Sequence, residues 1–146
     1  LGKVLKYWTK WTQLTSSRKL AFVRAVFSLL WIKAGLVFLS FSGFRKLFYW
    51  LSRTRQYSEI SEKKTDDIVW AVSTAANILP FELLCLPRAL ATKYLMRNVS
   101  SLTLEIGVDI NPGTGFEAHA WIERNGKIII GDWSDSVSYK RIWVWQ

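Results

Sequence analysis

Along residues 101–108 apolar and polar side chains alternate. Leu102, Leu104, Ile106 and Val108 fall on one side and Thr103, Glu105 and Gly107 on the other, which predicts a half-buried strand. Residues 109–115, rich in Asn, Pro and Gly, predict a loop. A second alternating run, 116–123, meets an apolar run, 127–130, across Asn125-Gly126, the strongest short-range hairpin signal. Residues 138–146, with Tyr139, Ile142, Trp143, Val144 and Trp145, predict a last strand.

Upstream the period changes to that of a helix. Ile68, Val69, Val72, Ala75, Ala76 and Leu79 mark a helix over 65–79, capped by Thr65 or Asp66 and stopped by Pro80. A second helix is expected from about Cys85 to Arg97, with Pro87 tolerated in its first turn and Asn98 able to end it. Residues 18–33 predict a helix with Phe22, Val26, Leu29 and Leu30 on its apolar side. Residues 34–44 are almost wholly apolar, 45–51 are amphipathic, and 52–64 form a polar connection. Helices first and an antiparallel sheet after them predict an α+β fold. Residues 1–64 are expected to form a basic helical region and 65–146 a mixed helix-and-strand core, together one compact domain.

Charge sharpens that division. Of the net +9, residues 1–64 carry 13 Lys/Arg against 2 Asp/Glu, and residues 65–146 carry 7 against 9. A basic half attracts something anionic, such as an acidic peptide, nucleic acid or a lipid surface. No nucleic-acid-binding motif is present, so nucleic acid is not expected. The stretch from Ala25 to Phe44 is long enough to span a bilayer, but Lys33 near its middle is costly there. A buried or membrane-surface helical pair is expected instead. One cysteine cannot form an internal disulfide, which fits a reducing cytoplasm. No cysteine pair, histidine cluster or Gly-rich phosphate loop suggests a metal or cofactor.

The single cysteine and the single histidine both stand at informative places. Cys85 opens its helix, where unpaired backbone N–H groups favour an anion and can hold the oxyanion of a tetrahedral intermediate. With Asn125 and Gly126 as the two loop residues, counting outward sets Ile122 against Ile129 and His119 against Asp132. Opposed residues share a face with Cβ atoms about 4.5–5.5 Å apart, within reach of a hydrogen bond. Asp135 competes, since a bulge near Trp133 would bring it to the face of His119. Thiol, imidazole and carboxylate together make the nucleophile, base and orienting acid of a cysteine protease or acyltransferase. Against this stand a packed, inert thiol and a surface cross-strand pair worth up to about 1 kcal/mol. A thiol at a helix start packed on a strand bearing the base is the arrangement of papain-like and transglutaminase-like sites.

These residues also resemble a family. Leu79-Pro80, Cys85-Leu86-Pro87-Arg88-Ala89-Leu90, Ile106-Gly107-Val108, His119-Ala120-Trp121-Ile122-Glu123, Gly126 and Asp132 together resemble the lasso-peptide leader peptidases. Those enzymes are the peptidase half of the lasso biosynthesis B protein, within the transglutaminase-like superfamily. The resemblance covers residues 79–132 and extends loosely into the helices before them. It implies a cysteine protease that removes the leader from a ribosomally made precursor, with Cys85 as nucleophile, His119 as base and Asp132 as orienting acid. It also implies a separate leader-recognition protein and an ATP-dependent cyclase as partners. No cofactor or metal is implied. A cytoplasmic location, with a membrane surface as a further contact, is expected. The rival expectations are an amide acyltransferase using the same three residues and an inert membrane-associated scaffold.

Overall fold

The computed structural model describes residues 1–111, 113, 115–133 and 139–145. Among them, five helices precede a four-stranded antiparallel sheet: α1 (Gly2–Gln13), α2 (Ser16–Phe38), α3 (Phe41–Ser52), α4 (Glu62–Ile78), α5 (Cys85–Leu95), β1 (Leu102–Asn111), β2 (Gly115–Arg124), β3 (Lys127–Ile130) and β4 (Lys140–Trp145). The fold is α+β, as the pattern predicts. The strand order is β3-β2-β1-β4, so the long β1–β2 pair is central and β3 and β4 are the edges.

Short polar side chains set the helix starts. Thr15, Ser40 and Ser61 each accept a hydrogen bond from the backbone N–H three residues on, in Arg18, Gly43 and Lys64. Ser40 divides the apolar run of residues 25–44 between α2 and α3. Ser61 starts α4 one turn before the expected Thr65 or Asp66. Thr65 and Asp67 are instead buried inside the helix, where Arg124 donates to the Thr65 hydroxyl and Arg18 pairs with Asp67 at 2.8 Å. The α5 helix ends at Leu95, two residues before the expected Arg97, and β1 runs on to Asn111 through residues expected to be loop.

One face of the sheet packs on α5, and α2 packs on both α4 and α5. Leu29 and Ile32 of α2, Ala71 and Val72 of α4, Ala89 and Leu90 of α5, and Leu104, Ala120 and Ile122 of the sheet form the core. Fully burying each of the larger side chains contributes about 1.5–3 kcal/mol. A second layer covers the other sheet face. There Trp121 is 1% exposed, its indole N–H donates to Glu123 at 2.9 Å, and Arg141 bridges the buried carboxylates of Glu105 and Glu123.

The hairpin turn forms as expected. Asn125 (φ 51°) and Gly126 (φ 77°) both adopt the left-handed conformation that a two-residue turn requires. The register beyond it differs from the sequence reading. Arg124 pairs with Lys127 and Glu123 with Ile128, but Ile122 pairs with Ile130, leaving Ile129 as a bulge. The same count carried past the bulge sets Ala120, not His119, across from Asp132, and β3 ends at Ile130. The physical reason is the run Ile128-Ile129-Ile130, which is apolar on both faces and so penalises no one-residue slip.

Candidate active site

Cys85 is the first residue of α5, half-buried, and the preceding Leu84 offers no side chain to cap the helix. No side chain therefore caps the backbone N–H groups of Cys85 and Leu86 in the first turn. Arg88 fixes this corner. Its Nε donates to the Leu83 carbonyl at 2.8 Å and its Nη2 to the Asn77 side-chain oxygen at 2.9 Å. The guanidinium thus ties the end of α4 and the connecting loop to the first turn of α5. Lys33 of α2 adds a bond to the Glu82 carbonyl at 3.2 Å.

His119 stands on β2 opposite Gly107 of β1. Its Nε2 lies 2.6 Å from the Gly131 carbonyl oxygen. Around the ring are three aromatic side chains. Tyr139 stacks on it at 4.9 Å, Trp133 meets it edge-on at 5.8 Å, and Trp121 lies roughly parallel at 6.2 Å. Gly107 makes room for this cluster, since a Cβ there would stand 2.8 Å from the Trp121 ring and 3.0 Å from Tyr139 Cβ. Burial first, then the Glu117 carboxylate to which it donates a hydrogen bond, then the charges of Asp109 and Cys85, raise the Tyr139 phenol above its ordinary range.

Cys85, His119 and Asp132 line one cavity of about 430 Å³, together with Leu84, Arg88, Ala120 and Gly131. A larger cavity of about 600 Å³ lies at the far end of α5, around Lys93, and contains none of these three residues. Among the described residues, no hydrogen bond links Cys85 to His119 or His119 to Asp132. The Asp132 side chain is exposed, and its backbone neighbour Gly131 holds the ring instead. Asp135, the competing carboxylate, lies outside the described residues, as does Ser138 of the expected last strand.

The arrangement resembles the working half of a thiol acyl-transfer site. A family model described as the transglutaminase-like superfamily matches residues 29–144. The chain belongs to this superfamily. No curated protein and no solved structure matches it significantly. Membership in the transglutaminase-like superfamily points to cysteine peptidase or acyltransferase chemistry, and Cys85 is the one thiol the chain has for it. Among the described residues, no group of three or more His, Cys, Asp and Glu side chains is placed to hold a metal.

Sequence reasoning missed Gly131, Tyr139 and the bracing role of Arg88. Gly131 had a signal, because a glycine closing the run Ile128-Ile129-Ile130 marks a sharp change of backbone direction. It adopts φ 87°, and a Cβ there would meet the Ala120 carbonyl oxygen at 2.7 Å. Tyr139 had none, because its partner in the stack is 20 residues away in the chain.

Proposed function

We propose that this transglutaminase-like chain is a cysteine peptidase that removes the leader from a ribosomally made lasso-peptide precursor. The observation that carries the chemistry is the opening of Cys85 and His119 onto one cavity, with the thiol at an uncapped helix start. The motif resemblance over residues 79–132 carries the choice of substrate.

The roles follow from the atoms. A carbonyl only accepts, so the His119 Nε2 next to Gly131 carries a hydrogen and Nδ1 keeps the lone pair of the neutral ring. Nδ1 takes the Cys85 proton as substrate closes the cavity. The thiolate attacks the scissile carbonyl carbon, and its oxygen gains negative charge in front of the open N–H groups of the first turn of α5. The C–N bond breaks, and the imidazolium gives its proton to the leaving amine. Water, deprotonated by Nδ1, then attacks the thioester, releasing the carboxylate and restoring the thiol. Asp132 lies one residue beyond the carbonyl that holds the ring, where its charge favours the imidazolium formed in each step.

A leader-recognition protein presents the precursor, and an ATP-dependent cyclase consumes the freed amine. In the acyltransferase alternative an amine takes the place of water, so the product mass separates the two. The test is incubation of precursor and recognition protein with the wild type and with Cys85→Ala. Cleavage by the first and none by the folded second is expected. Normal cleavage by Cys85→Ala would falsify the mechanism.

A further inference from the structure

The α1 helix has two opposed sides. At 3.6 residues per turn, Val4, Leu5, Trp8 and Trp11 share one side while Lys3, Lys6 and Lys10 share the other. No residue of α1 is buried. Val4, Leu5 and Trp8 are 70%, 61% and 68% exposed, and Trp11 rests edge-on against Phe22 of α2 at 5.4 Å. A soluble helix buries such an apolar side against its own protein, whereas this one leaves it uncovered.

The α2 helix repeats the pattern. Ala25, Leu29 and Ile32 are buried against the core, yet Leu20, Val23, Phe27, Leu30 and Val37 form a second apolar stripe on the opposite side and are exposed. The helix is long and apolar enough to cross a bilayer, and only 22% of its most apolar stretch is buried. Charge then selects the occupant of these uncovered faces. Residues 1–58 contain 11 Lys/Arg and no Asp or Glu. A helix with Trp and aliphatic residues on one side, lysines on the other and little net hydrophobicity is built to lie in a lipid interface, its apolar side among the acyl chains and its cations on anionic headgroups.

We propose that α1, with the uncovered stripe of α2, seats this protein on the surface of an anionic lipid bilayer. Trp8, Val4 and Leu5 enter the headgroup boundary, and Lys3, Lys6 and Lys10 pair with lipid phosphates. The remaining exposed aromatics of the helical layer, Phe27 among them, add apolar contact once α1 has docked. None of these residues lines the cavity that holds Cys85, so the surface localises the enzyme without entering its chemistry. The inference stands apart from the identity of the peptide substrate.

The experiment is co-sedimentation of the full chain with vesicles of phosphatidylcholine alone and with vesicles that also contain phosphatidylglycerol, followed by tryptophan fluorescence. The expected result is partition onto the phosphatidylglycerol vesicles only, a blue shift of the fluorescence, and release as salt rises. The variant Lys3→Glu/Lys6→Glu/Lys10→Glu should partition at least about a hundredfold more weakly, since each cation lost near an anionic surface removes about a fivefold factor and each added carboxylate is repelled as well. Val4→Ser/Leu5→Ser/Trp8→Ser should also release the protein, with unchanged circular dichroism and unchanged cleavage of soluble precursor. Equal partition onto both kinds of vesicle, or partition that survives both variants, would overturn the proposal. So would absence of vesicle binding alongside variants that dissolve a self-associated form or abolish capture by the recognition protein. Those results would assign the face to a second copy or to the protein partner.

Discussion

The His119 imidazole is oriented by the Gly131 backbone carbonyl, 2.6 Å from Nε2. A carbonyl only accepts, so in the neutral ring this contact holds the hydrogen on Nε2 and leaves the lone pair on Nδ1. The sequence reading gives this task to the Asp132 carboxylate. The bulge at Ile129 transfers it to the carbonyl one residue earlier.

Gly131→Ala tests that contact. The residue sits at φ 87°, and an added Cβ would stand 2.7 Å from the Ala120 carbonyl oxygen. The strain should cost about 1–3 kcal/mol of stability and displace the carbonyl from the ring. Thermal melting and precursor cleavage should both fall, with the loss of rate persisting well below the melting transition. A variant with an unchanged melting temperature and unchanged cleavage rate would remove Gly131 from the account.

Asp132→Asn separates charge from orientation. If the carbonyl fixes the tautomer, losing the carboxylate removes only its favourable field on the imidazolium. The expected drop in kcat is about tenfold to a hundredfold, short of the roughly ten-thousandfold loss seen when a sole orienting carboxylate is removed. Asp135→Asn should be mild. Single-turnover cleavage with both variants reads the difference, and a ten-thousandfold loss in Asp132→Asn would return the orienting role to the carboxylate.

The Tyr139 ring stacks on His119 at 4.9 Å, and its hydroxyl is bonded to Glu117 and kept protonated to higher pH than usual. Tyr139→Phe retains the stack and should cleave at close to the wild-type rate. Tyr139→Ala frees the ring to tilt and should lose at least about tenfold, the scale of misplacing a catalytic group. Neither should add a limb to the pH–rate profile near neutrality. The profile and the two rates together check the claim that packing, not the hydroxyl, is what His119 needs.

Much of the fold is legible in the residue pattern, because its signals are local. Alternation over 101–108, the Asn125-Gly126 turn and the helical period of 68–79 each act within a few residues. The position of Cys85 at a helix start follows from the same kind of signal, with Pro80 closing one helix and Pro87 suited to the first turn of the next. The register of β3 was not legible, because three consecutive isoleucines satisfy either face. The cap at Ser61 was masked by Thr65 and Asp66, good capping residues; in the fold Thr65 is buried and accepts from Arg124, and Asp66 is an exposed residue inside the helix. The aromatic cage of His119 joins three separate segments, and no short-range pattern reports such a meeting.

Lys93 gives a stability prediction at the far end of α5. Burial pulls its ammonium down from 10.5 to about 8. The folded state therefore binds fewer protons than the unfolded state between pH 8 and 10.5, and stability owed to this group rises with pH across that window. Below pH 8 the buried charge is a full penalty. Lys93→Met should accordingly raise stability near neutrality by about 1–2 kcal/mol. The gain should fade as pH climbs toward the ordinary lysine value. Denaturant titrations at neutral and alkaline pH give both numbers, and a gain independent of pH would show that packing alone is responsible.

The most direct measurement is the intact mass of everything in a reaction of precursor, recognition protein and this chain, quenched at short times. The account predicts leader and core fragments whose masses sum to the precursor plus one water. It also predicts a transient acyl adduct on Cys85, and neither species with Cys85→Ala. An intact precursor, a product joined to an amine in place of water, or fragments that still form with Cys85→Ala would contradict it.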